Sequence, residues 1–128
     1  MRLARPTLGA EFLQWFGLLA AAVAWTGQLV LGFGVTDAAC SAGSARWGIA
    51  VHAWEIVLLA AGAAAAVVAE AAALMLFLGT RGTGEDDPPP RGRRHFFASA
   101  ALVANALFLT VILLSGLATL AHSPCSQS

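Results

Sequence analysis

The sequence contains no lysine and no tyrosine, and it is poor in charge of either sign. Charged residues make up 11% of the 128 residues, whereas a soluble domain carries roughly 25%. Hydrophobic residues make up 59%, and the mean hydropathy is +0.76. So little polar surface cannot cover a water-soluble core of this size. We therefore expect an integral membrane protein with one domain, which covers residues 1–128.

Sequence motifs of catalysis and of nucleic-acid binding are also missing. The chain lacks the paired-histidine helix of zinc proteases, the serine-hydrolase elbow and a glycine-rich phosphate loop. Its formal net charge is zero, so no basic surface indicates a nucleic-acid partner. The sequence predicts a protein that is not an enzyme, has no cofactor and binds no nucleic acid.

Three apolar segments are long enough to cross a bilayer as helices, which takes about 20 residues. They cover about residues 12–34, 49–79 and 96–121. Backbone polar groups in lipid must bond within their own segment, so we predict an all-α fold with three transmembrane helices. Residues 35–48 are expected to form an outer loop. Residues 80–95, which include three consecutive prolines, are expected to form a cytoplasmic loop.

The arginines predict the orientation, because cytoplasmic loops of membrane proteins are enriched in basic residues. With three spans, six arginines share the side of the N-terminus: Arg2, Arg5, Arg81, Arg91, Arg93 and Arg94. Arg46 alone lies on the other side. We expect a multi-pass protein of the bacterial inner membrane, with its N-terminus cytoplasmic and its C-terminus outside. A cleaved signal peptide in the first segment is the alternative, although its apolar run exceeds the usual length of roughly 7–15 residues.

The two cysteines, Cys40 and Cys125, both fall on the outer side in this topology. Paired cysteines on an oxidising side usually form a disulfide, which would link the first connection to the C-terminal tail. His52 and His122 are predicted near the same surface, so a two-cysteine, two-histidine zinc or copper site is an alternative. Haem ligation by the two histidines is a third interpretation.

The second span carries ionisable residues on one face. His52 and Glu70 are about five helical turns apart and point in the same direction, and Glu55 lies close to that direction. Small residues share this face and allow another helix to approach closely: Gly62, Ala63, Ala66 and Ala73. We predict that this face packs within the bundle, whereas Leu58, Leu76 and Phe77 lie off its centre and meet lipid.

Counting residues from the ends of the spans suggests partners for the polar groups within the membrane. Gln28, Glu55 and Ser115 are predicted to lie about 9 Å below the outer boundary. Glu70 and Asn105 are predicted to lie at a common depth nearer the inner boundary. Such groups either hold the helices in register and contact a partner, or they move protons. Both interpretations remain open.

Two stretches of the chain resemble a known group of proteins. Residues 15–40 begin W-F-G-L-L-A-A-A-V-A-W-T-G-Q, and R-R-H-F-F-A-S-A-A-L-V-A-N starts at residue 93, before a terminal Pro124-Cys125. They are similar to small three-span bacterial membrane proteins encoded beside haem–copper terminal oxidases and their assembly factors. The group often has a histidine shortly after the tryptophan of the first span, where this chain has Gln28. The resemblance implies an association with a respiratory oxidase.

Three functions are compatible with these patterns. The first is a non-catalytic accessory subunit or assembly helper of a membrane respiratory complex, bound to its larger subunits. The second is a homo-oligomer that transports protons or a small solute past Glu70. The third is a thiol or metal carrier that uses Cys40 and Cys125 at the outer face.

Overall fold

The structure, a computed structural model, describes residues 4–40, 50–82, 91–122 and 125. Three α-helices account for nearly all of them: α1 (Ala4–Cys40), α2 (Val51–Gly79) and α3 (Arg91–Ala121). Each contains a segment that is long and apolar enough to span a membrane: Glu11–Cys40, Val51–Gly79 and Gly92–Ala121. The all-helical class and the capacity for three transmembrane spans are therefore confirmed.

Two helices extend beyond the predicted spans. α1 continues to Cys40, so the prediction that the outer loop begins at residue 35 is wrong. α3 begins at Arg91, so residues 91–95 are helical and do not belong to the predicted loop 80–95. In both places the sequence becomes more polar without a proline, and the helical backbone continues past the end of the apolar run. Hydropathy predicts where lipid ends, and it does not predict where the hydrogen-bonded helix ends.

α2 ends where the sequence predicted, at Gly79, and Thr80 terminates it. The Thr80 backbone N–H donates to the carbonyl oxygens of Leu76 and Phe77, both at 3.1 Å. Its hydroxyl donates to the Leu76 carbonyl at 2.9 Å. Gly82 then adopts a left-handed conformation, with φ of 83°, which glycine reaches without steric penalty. The chain therefore leaves the helix abruptly within three residues.

The contacts between helices define an up-down-up bundle in which each helix packs against the other two. On α1 and α2, Gly17 faces Ala73 and Gly32 faces Leu58. On α2 and α3, Gly62 faces Ile112 and Thr80 contacts His95. Both helix pairs therefore run antiparallel, and α1 and α3 run parallel. We call the end that contains Glu11, Thr80 and Arg93 the basic end. The opposite end, where Cys40 meets Cys125, is the disulfide end.

The bundle core is built mostly from small side chains. Ala21, Ala66, Ala69 and Ile112 form its fully buried centre, and larger rings pack around them, including Trp25 and Phe108 with centroids 5.7 Å apart. Most large aliphatic side chains point outward, where lipid would cover them. Association of such helices in a bilayer depends on close packing of small residues, because lipid is as apolar as the helix surfaces.

The predicted packed face of α2 is only partly correct. Gly62, Ala66 and Ala73 are buried as predicted. Leu76, predicted to meet lipid, is buried at 6% exposure, because the packed face rotates around α2 towards the basic end. His52, predicted on the packed face, is exposed at the first turn of the helix.

Candidate functional site

A groove opens on the side of the bundle between α1 and α2. Its volume is about 180 Å³. The walls consist mainly of small residues: Ala24, Gly27, Gln28, Leu31, Leu58, Ala61 and Gly62. Gly27 contributes most directly to the opening, since a Cβ atom built there would meet nothing within 4 Å. The groove exists because four of its wall residues on these two facing helices carry at most one side-chain carbon.

Gln28 is the polar residue in the groove wall. Its Nε2 donates a hydrogen bond to the backbone carbonyl of Ile112 on α3, at 3.4 Å. Its Oε1 atom is buried and has no hydrogen-bond partner in the part of the chain that the structure describes. Gln28 therefore links all three helices, because its side chain also borders Gly62 of α2.

A second polar contact lies nearer the basic end, where Asn105 of α3 is fully buried. The Asn105 Nδ2 donates to the carbonyl oxygen of Gly17 at 2.6 Å. The Asn105 side chain also lies close to the carboxyl group of Glu70. Glu70 and Asn105, which the sequence placed at one depth, are thus neighbours in the bundle. Within the described ranges, the Asn105 Oδ1 and Glu70 Oε2 atoms are buried without a partner.

Glu55 does not lie at the level of Gln28, with which depth counting grouped it. Gln28 lies opposite Gly62, which is seven residues, or about 10 Å, further along α2 than Glu55. The predicted common depth of Gln28 and Glu55 is therefore wrong, because α1 extends further towards the disulfide end than assumed. Glu55 is buried near the start of α2, and its Oε2 finds no partner among the described atoms.

Gln14 is a buried polar residue that the sequence reasoning missed. It is only 2% exposed, and both polar atoms of its side chain lack a partner within residues 4–40, 50–82 and 91–122. Gln14 and Gln28 are 14 residues, or about four helical turns, apart, so they share a face of α1. This spacing, together with Gly17 and Ala21 between them, is the signal that could have revealed the packed face of α1.

At the disulfide end, Cys40 and Cys125 form a disulfide with Cα atoms 5.5 Å apart. The Nδ1 atom of His122 lies 2.7 Å from the carbonyl oxygen of Ala118, within its own helix. His52 is exposed. The predicted set of Cys40, His52, His122 and Cys125 is therefore not assembled as a metal site, since the disulfide occupies both sulfur atoms. In the described ranges, no group of three or more histidine, cysteine or acidic side chains is arranged to hold a metal ion.

Comparisons with protein-family models, with curated proteins and with solved structures give no match to this chain. The association with respiratory oxidases that the sequence resemblance implies therefore stays a prediction. Three features of the described structure bear on function. They are the lateral groove between α1 and α2, the contact between Glu70 and Asn105, and the arginines at the basic end.

Proposed function

We propose that the protein is a non-catalytic accessory subunit or assembly helper of a larger membrane complex, and that this complex is respiratory, with a terminal oxidase as the first candidate. The observation that carries the proposal is the lateral groove between α1 and α2. Its position on the side of a membrane-spanning bundle makes it accessible to another helix in the same bilayer. The respiratory assignment rests on the sequence resemblance alone.

The partner that best fits the groove is a transmembrane helix of a larger subunit. Gly27 and Ala24 from α1 and Ala61 and Gly62 from α2 present little side-chain volume. Small residues let helix backbones approach closely, and this close packing is the main source of helix association in lipid.

Filling the groove should therefore prevent association. We expect that Gly27→Leu abolishes co-purification of larger subunits from native membranes in mild detergent, measured by mass spectrometry of the affinity-purified protein. A Cβ atom at Gly27 meets nothing within 4 Å, so we expect the bundle itself to keep its unfolding temperature.

The matched control is Gly34→Leu. Gly34 is also a glycine of α1 with nothing within 4 Å of a built Cβ, but it does not line the groove. This variant should recover the partners at the level of the unmodified protein. Equal recovery with both variants would reject the groove as the docking surface. A protein that purifies alone as a stable monomer would reject the accessory function.

We place the protein in the cytoplasmic membrane of a bacterium, with the basic end on the cytoplasmic side. The support is the distribution of arginine, six residues against one, which follows the tendency of basic residues to remain inside. This orientation puts the disulfide end on the outer, oxidising side, which suits a disulfide. Labelling of Cys variants with a membrane-impermeant thiol reagent in intact cells tests the assignment.

Transport past Glu70 is the second candidate function. It is favoured by a carboxyl group within a membrane-spanning helix and by the unpartnered Glu70 Oε2 in the described part of the bundle. Polar groups of this kind often mark proton or ion pathways. Three helices cannot enclose a pathway, so the function requires a homo-oligomer.

If the chain transports protons, Glu70→Gln should abolish proton flux into proteoliposomes, since an amide cannot release the proton that a carboxyl group carries. Glu55→Gln is the control with the same chemical change at another level of α2. Flux that is unchanged by Glu70→Gln would remove transport as a function of this chain.

A further inference from the structure

The end of α2 and the start of α3 are joined by side chains at the basic end. The Thr80 Oγ1 atom lies 3.1 Å from Nδ1 of His95, and the His95 ring stacks on Phe77 with centroids 5.2 Å apart. Thr80 immediately precedes Arg81, and His95 immediately follows Arg94. The contact therefore brings the backbone segments that carry Arg81 and Arg94 to one junction between two helices.

Within the described ranges, acidic side chains balance only part of the positive charge at this junction. Arg93 has a carboxylate partner, since its Nη2 lies 3.8 Å from Oε1 of Glu11. Arg81 and Arg94 form no ion pair within the described ranges. The Nε atom of Arg94 is moreover buried without an acceptor there. Glu11 is the only acidic residue described at this end, so within residues 4–40, 50–82 and 91–122 Arg81 and Arg94 have no negative partner.

The two arginines also lie at the depth where lipid headgroups are found. Arg81 follows the apolar span Val51–Gly79 by two residues, and Arg94 is the third residue of the span that begins at Gly92. Trp15, which contacts Phe97 near the start of α3, is 49% exposed at this end of the bundle. Exposed tryptophans near the ends of spans are typical of the membrane–water interface. In a bilayer, the phosphate of a lipid headgroup is the anion found at this depth.

We propose that Arg81 and Arg94 bind the headgroup phosphate of an anionic phospholipid at the junction of α2 and α3. A guanidinium group offers paired N–H donors that match two phosphate oxygens. Basic pockets between transmembrane helices on the cytoplasmic side bind such headgroups in membrane proteins. The exposed apolar side chains below the junction, including Met75 and Leu78, give the acyl chains a surface. The site is remote from the groove and does not depend on the proposed function.

The test is native mass spectrometry of the full chain in detergent, titrated with dioleoyl-phosphatidylglycerol or with dioleoyl-phosphatidylcholine. These lipids share acyl chains and differ in net charge. We expect preferential retention of phosphatidylglycerol. Arg81→Gln and Arg94→Gln should each lower that retention about fivefold, because one arginine near an anionic headgroup contributes about that factor. Retention of phosphatidylcholine should not change.

Arg93→Gln is the control within the same helical turn. It removes the same charge as Arg94→Gln, but from an arginine that already has Glu11 as its partner, so phosphatidylglycerol should still be retained. Equal loss in the Arg93 and Arg94 variants would show a diffuse charge effect and overturn the site. Equal retention of the two lipids by the unmodified protein would overturn it as well.

Discussion

Gly17→Leu is expected to separate α1 from α2 and to destabilise the bundle by about 3 kcal/mol, the upper part of the usual range for overpacking. A Cβ atom at Gly17 would lie 3.2 Å from the backbone nitrogen and 3.3 Å from the Cα of Ala73. Backbone atoms inside a helix cannot move aside as the end of a flexible side chain can. The two helices must therefore move apart. The unfolding midpoint in detergent, followed by tryptophan fluorescence, measures the effect.

Two further variants test whether the close approach of the helices at Gly17 is the cause of the destabilisation. Gly17→Ala adds only the Cβ atom and should destabilise the protein less than leucine does. Gly34→Leu adds the same leucine to the same helix at a position where a Cβ meets nothing within 4 Å, and it should leave the midpoint unchanged. An equal decrease for Gly17→Leu and Gly34→Leu would mean that the close approach at Gly17 does not hold α1 in place.

Asn105→Leu is expected to lower the stability of the bundle by about 2 kcal/mol, the usual effect of leaving a buried polar group without its partner. The side chains are similar in size, so the substitution mainly removes hydrogen bonds. The Gly17 carbonyl loses its donor, and the Glu70 carboxyl group loses its contact with the amide. Thermal unfolding in detergent, compared with the unmodified protein, gives the difference.

Thr110→Val is the matched control for Asn105→Leu. Its hydroxyl donates to the Ala106 carbonyl within the same helix, at an exposed position, so its loss should have little effect on unfolding. A double variant with Glu70→Leu separates the two contacts of Asn105. Part of the stability lost in Asn105→Leu is expected to come from the Glu70 carboxyl group, which is left without the Asn105 amide. In that case, Glu70→Leu/Asn105→Leu should be more stable than the sum of the two single effects predicts. Strict additivity would show that the Gly17 contact alone is responsible.

The number and approximate positions of the helices could be predicted from the sequence. An apolar segment in a bilayer must form a helix, because its backbone polar groups can bond only within the segment. The ends of α2 at Gly79 and of α3 at Ala121 agree with the apolar pattern. The end of α1 and the start of α3 do not, since polar residues that are compatible with a helix continue both beyond the apolar run. Composition therefore predicts the number of helices better than it predicts their length.

The polar residues illustrate why the candidate site was harder to predict. Glu70 and Asn105 were placed at a common depth, and they are neighbours. Gln28 and Glu55 were also placed at a common depth, yet Gln28 lies opposite Gly62 instead. Depth counting assumes that every helix starts at the same plane. An error of a few residues in the predicted end of one helix therefore shifts the predicted partners of its residues by one or two turns along the neighbouring helix.

The sequence by itself determined that the chain forms three long helices, each apolar enough to span a membrane, because few charges interrupt its long apolar runs. The tertiary structure alone decided how the helices are rotated and offset, since that depends on which small residues meet, as Gly17 meets Ala73. From this packing follow the groove at Gly27 and the contact of Asn105 with Gly17. Hydropathy averages over a helix, whereas packing depends on individual atoms at the contact. For the same reason, only the structure brought the segments of Arg81 and Arg94 together, through the contact between Thr80 and His95.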